Sequence, residues 1–118
     1  MGNPAGTATA DLRVGLAQIN STVGDLTGNS ALIVDAVRAA ALEGAGLVVF
    51  PEMALTGYPV EDLALRPSFQ EASKKEIHTL AARLQSEGLG EIACIVGYLD
   101  SLDTAAESRI GRPRGGPI

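Results

Sequence analysis

The segment Leu47-Val48-Val49-Phe50 is apolar on both of the faces a strand would present, and Pro51 follows it directly. A strand that is apolar on both sides belongs in the middle of a parallel sheet, and proline ends the ladder because it has no N–H to donate. Upstream, residues 12 to 19 (LRVGLAQI) form a second aliphatic run bounded by the turn-prone stretch 20 to 28. Between the two runs, Ile33, Val37, Ala40 and Ala41 recur at helical spacing over residues 29 to 43. Asn29 or Ser30 is the expected N-cap and Gly44 the stop. Strand, helix and strand within so short a span make a βαβ unit, whose crossover should be right-handed.

A loop from Glu52 to Pro67 comes next, holding Gly57 and Pro59, and loops of that length in small domains tend to be functional. Ser68 and Glu71 have capping-box spacing, and Ile77, Leu80, Ala81 and Leu84 keep a helical stripe until Gly88. Residues 92 to 97 (IACIVG) give a third strand. The expected fold class is therefore α/β, with a mainly parallel sheet of at least three strands. Residues 1 to 11 read as a flexible leader, 12 to 100 as a partial domain, and 101 to 118 as a Gly/Pro/Arg loop whose next strand lies beyond the sequence.

Composition narrows the partners. At 118 residues with 46% hydrophobic residues and a mean hydropathy of +0.18, the chain can pack one core and no more. A net charge of −5 repels a phosphate backbone, so no nucleic-acid partner is expected. No apolar run approaches the ~20 residues that cross a bilayer, and the first ten residues lack a secretory pattern, so neither membrane nor export is expected. A single cysteine and a single histidine exclude an internal disulfide and a Cys/His metal cluster. A reducing, cytoplasmic location fits these counts.

Glu52 is the first candidate for chemistry. It follows a buried strand at the end of an α/β sheet where ligands gather. Partial desolvation there would disfavour its charged form and suit it to general-base work; the bland alternative is a solvated loop acid or a helix cap. Cys94 lies inside a continuous apolar strand and reads as core rather than nucleophile. His78, Lys74 and Lys75 share the polar side of the second helix and read as solvated. Glu61 and Asp62 should open a short helical turn, with Arg66 as an ion-pair partner. Arg109, Arg112 and Arg114 are assigned no partner. Gly24, Asp25 and Gly28 lack phosphate-loop spacing.

Two strings then carry more weight than any single residue. LRVGLAQINSTVGDLTGN (12 to 29) and LVVFPEMALTGYPVEDLALRPSF (47 to 69) together resemble the N-terminal part of nitrilase-superfamily (carbon-nitrogen hydrolase) enzymes. In that superfamily the Phe50-Pro51-Glu52 string looks like the general-base motif. The continuation Thr56-Gly57-Tyr58-Pro59 with Glu61-Asp62-Leu63 and Leu65-Arg66-Pro67-Ser68-Phe69 resembles the glutaminase domain of glutamine-dependent NAD synthetases. The resemblance runs from about Leu12 to Asp100 and implies the leading part of a four-layer αββα sandwich.

It also implies a chemistry. In that family a Glu-Lys-Cys triad hydrolyses the side-chain amide of glutamine, and Glu52 matches the glutamate. Tyr58 is implied to line the glutamine pocket, with a packing aromatic as the alternative. No lysine or cysteine here matches the other two members, so the chain alone is expected to be inactive. Glutamine is the implied substrate of the parent, which would be a homo-oligomer. No cofactor is expected in these residues; ATP and magnesium are implied for a separate synthetase domain. Two alternatives stand beside this reading: part of a stand-alone amidase or nitrilase, or a non-enzymatic remnant.

Overall fold

The computed structural model describes residues 11 to 102. The expected tail arginines and nearly all of the expected leader lie outside them. Three short strands, β1 (Val14–Leu16), β2 (Leu47–Val49) and β3 (Ala93–Ile95), form one sheet in the order β1-β2-β3. Both pairings are parallel, with Gly15, Val48 and Cys94 in one row and Leu16, Val49 and Ile95 in the next. The fold is the expected α/β type, with β2 central. Each strand is shorter than the apolar run containing it. Single ladder-like bonds continue beyond, from Ala17 N to Val49 O (2.9 Å) and from Phe50 N to Ile95 O (3.0 Å).

Helices α1 (Leu26–Leu42) and α2 (Pro67–Ser86) pack against each other and share a core with the sheet. Val48 is fully buried between them and the strands, with Ile33, Val37, Leu80 and Leu84 around it. Gly15 lets Ala40 of α1 approach β1, since a Cβ there would stand 3.4 Å from the Ala40 Cβ. Successive strand residues alternate between faces, so the rows on either side of Gly15, Val48 and Cys94 point away from the helices. On that far face Leu16 is 81% and Ile95 56% exposed. Among the described residues there is thus one helical layer and one sheet.

Both expected helix starts are corrected. α1 begins at Leu26, capped by Asp25, whose carboxylate accepts the Gly28 N–H at 3.0 Å. Asn29 and Ser30 are therefore not caps but buried residues of the first turns. The Ser68/Glu71 capping box does not form: Pro67 occupies the first helical position and Arg66 the cap, without a side-chain bond. Proline suits that place because its missing N–H would have had no helical partner. Glu71 instead pairs with Lys74 at 3.0 Å. Within the expected loop, Glu61–Leu65 form a 3₁₀ turn, as the sequence suggested for Glu61 and Asp62, and Arg66 stands 3.9 Å from Asp62.

Candidate active site

Beyond β2 the chain leaves the central strand and turns sharply over residues 52 to 56. Two contacts hold this turn to β3. The Leu55 N–H donates to the Gly97 carbonyl at 3.2 Å. Gly97 also lies so close to the turn that a Cβ would come within 2.6 Å of Met53 N and 3.4 Å of the Glu52 Cα. Met53 has φ 59°, the left-handed region, which costs a side-chain-bearing residue on the order of 1 kcal/mol or more unless its surroundings enforce it. Such enforcement is visible in the closing bond from Gly57 N to Met53 O, 2.8 Å.

The opposite side of the turn is held by α1 and the segment before it. Asn29 is 1% exposed, and its amide nitrogen donates to two carbonyls, Thr22 O and Leu55 O, each at 2.8 Å. Its oxygen accepts the Thr22 N–H at 2.8 Å. Gly24 N donates to Thr56 O at 2.8 Å, and Thr56 is fully buried. At Gly57 (φ +80°) an added Cβ would meet the Val23 backbone at 2.6 Å. The loop carrying Glu52 is thus fastened to β3 on one side and to the 22–24 turn and α1 on the other.

Glu52 stands at the C-terminal end of the central strand, exposed to solvent. The partial desolvation expected from sequence is not supplied by the described residues, among which Glu52 stays exposed. Tyr58 follows on the same loop and is 75% exposed. A shallow groove of about 200 Å³ lies elsewhere, between β1 and α1, lined by Gly15, Leu16, Gln18, Ala36 and Ala40 among others, and includes neither Glu52 nor Tyr58.

The remaining candidates stay apart from Glu52. Cys94 pairs in register with Val48, in the middle of the ladder, and packs half-buried against the helix-side core. Burial pushes its thiol pKa up, which disfavours the nucleophilic thiolate. His78 is exposed on α2. Lys74 is held by Glu71, and that hydrogen bond keeps its pKa above the ordinary lysine value. Among the described residues no cluster of three or more His, Cys, Asp or Glu could hold a metal ion.

Sequence reasoning missed Asn29, Thr22, Thr56 and Gly97 as parts of this arrangement. One signal was available: Asn29 lies four residues before Ile33 and eight before Val37, on the buried face, where an amide must find partners.

Comparison with known proteins agrees with this fold. The Carbon-nitrogen hydrolase family profile matches residues 13–101. The glutamine-dependent NAD(+) synthetase of Thermotoga maritima is 42% identical over 94 residues, covering 80% of this chain and 16% of that protein. The glutamine-dependent NAD(+) synthetase of Synechocystis is 42% identical over 84 residues, covering 71% of this chain and 14% of the relative. Among solved structures, the glutamine-dependent NAD+ synthetase of Acinetobacter baumannii, determined with ADP, superposes with a TM-score of 0.65 at 28% identity, covering 78% of this chain and 16% of that one. The chain therefore spans about one sixth of the length of these proteins. With the family profile matching most of its residues and the fold agreeing, the chain belongs to the carbon-nitrogen hydrolase family.

Proposed function

We propose that these residues form the leading part of the glutamine-hydrolysing unit of a glutamine-dependent NAD synthetase, with Glu52 as its general base. The observation that carries the reading is the position of Glu52 at the exit of the central strand, on a turn fastened from both sides. Catalytic carboxylates need that kind of fixed placement at a sheet's C-terminal end. The similarity to proteins named glutamine-dependent NAD(+) synthetases supplies the substrate. Tyr58, six residues on, would line the glutamine pocket.

In this mechanism Glu52 takes the proton of a cysteine thiol as the sulfur attacks the glutamine side-chain carbonyl. A lysine stabilises the oxygen of the tetrahedral intermediate. Glu52 then gives the proton to the departing amine, so that ammonia and a thioester result, and water releases glutamate. The cysteine and the lysine would come from outside the described residues, since Cys94 lies within the ladder, Lys74 pairs with Glu71 and Lys75 is exposed on α2. ATP and magnesium would serve a synthetase domain that is likewise outside them.

The test is Glu52→Gln in the full-length protein that carries this segment. Glutamine-driven NAD formation should fall by about a hundredfold or more, the scale of a lost general base. Ammonia-driven formation should persist, because it bypasses amide hydrolysis. Equal loss of both, or retention of the glutamine-driven rate, would count against the assignment.

A further inference from the structure

We infer that Asn29 is a positioning residue for Glu52, an inference that rests on the reading of Glu52 as general base. The side chain belongs to the apolar stripe of α1, four residues before Ile33 and eight before Val37, both fully buried. If helix packing were the only requirement there, an aliphatic side chain would meet it without the cost of burying an amide. Asparagine adds a planar group that accepts at one atom and donates twice at the other. All three capacities are used, on two backbone segments that lie in no helix or strand: Thr22 through its N–H and carbonyl, and Leu55 through its carbonyl.

Leu55 is three residues past Glu52, in the same turn. Its N–H is bound to Gly97 of the β3 exit and its carbonyl to Asn29 of α1, so the two peptide units that flank this one residue are pinned between two elements that share the core. The exposed Glu52 side chain does not hold the turn; the clamp beneath it does. Thr56 O, bonded to Gly24 N, and Gly57, pressed on Val23, extend the same fastening by two residues. Loss of the clamp would let the Glu52 turn shift relative to the strand ends, and a general base displaced by about 1 Å can lose on the order of a hundredfold in rate.

Asn29→Asp tests this with little change of volume. The acceptor toward Thr22 N remains, but the nitrogen that made both donations becomes a carboxylate oxygen facing the carbonyls of Thr22 and Leu55. Gly57→Ala is the second variant: it pushes the same turn off Val23 while leaving Asn29 intact. In the full-length protein both should lower kcat for glutamine-driven NAD formation at least about tenfold, with little change in the KM for glutamine and in ammonia-driven formation. Combined with Glu52→Gln, Asn29→Asp should cause almost no further loss, because it acts through that carboxylate. Full glutamine-driven rates in both variants, with Glu52→Gln inactive, would overturn the inference and leave the general-base reading standing. A parallel fall of glutamine-driven and ammonia-driven rates would also overturn it, in favour of a purely structural Asn29. A fully active Glu52→Gln would remove the general base itself and the inference with it.

Discussion

At the scale of single residues, the contrast between Glu52 and Cys94 is one of placement. Glu52 extends from a turn beyond the ladder, whereas Cys94 is locked within it, opposite Val48. Burial raises the Cys94 pKa, so the folded chain holds the thiol proton more tightly than the unfolded chain does. Two consequences follow for measurement. Iodoacetamide should alkylate Cys94 more slowly in the folded chain than in urea at pH ~8, where reactivity tracks the thiolate. The stability contributed by the protonated thiol should be complete below the unfolded thiol value and drain away as pH rises through the higher folded value. Cys94→Ala should abolish that alkaline loss; equal alkylation rates in folded and unfolded chains would refute the buried assignment. The places of both residues along their strands were legible in the sequence, one from the proline that ends its strand and the other from its apolar neighbours, whereas the exposure of Glu52 was not. Asn29 carried one signal, its place on the buried face, but not its role, because an asparagine just before an apolar stripe has the same local pattern whether it caps a helix or lies one turn inside it.

At the scale of elements, that ambiguity resolves at Asp25. The helix gains one more turn than periodicity suggested, because Asp25 accepts the Gly28 N–H and its own carbonyl receives Asn29 N at 2.8 Å. Leu26 is only partly buried, and Thr27 and Gly28 add no apolar signal, so a search for apolar recurrence starts too late. Asp25→Ala should destabilise the chain by about 1 kcal/mol, the usual worth of such a cap. Urea denaturation followed by circular dichroism would read it, and an unchanged midpoint would restore Asn29 or Ser30 as the cap. The second helix shows the converse error. Ser68 and Glu71 have the right spacing for a box, but Pro67 already fits the first helical position and sets the start two residues earlier. Strand order and direction were readable because the apolar runs are separated by helices, which forces parallel pairing. Strand length was not, because apolar runs outlast the hydrogen-bonded ladder: Leu12, Ile19, Ile92 and Val96 lie outside the strands, and of these Ile19, Ile92 and Val96 still pack on the core.

At the scale of the whole molecule, the two faces of the sheet differ in kind. One is sealed by α1 and α2 around Val48. The other carries Leu16, Val49 and Ile95 in one row and Val14, Leu47 and Ala93 in the next, with Leu16, Ile95 and Val14 exposed. Contiguous apolar surface of this kind drives association in water, and among the described residues β1 and β3 each form an outer edge of the sheet. The 118-residue chain purified by itself should therefore self-associate as its concentration rises, which light scattering coupled to size exclusion would detect. Two causes are separable. Leu16→Thr with Ile95→Thr places β-branched strand formers at both positions while removing exposed apolar area from the far face, so it should shift the population toward monomer with the helical signal intact. If the double variant associates as strongly as the parent, edge pairing rather than the apolar face is responsible. A wild-type chain that stays monomeric across the accessible concentration range would refute the far face as an association surface.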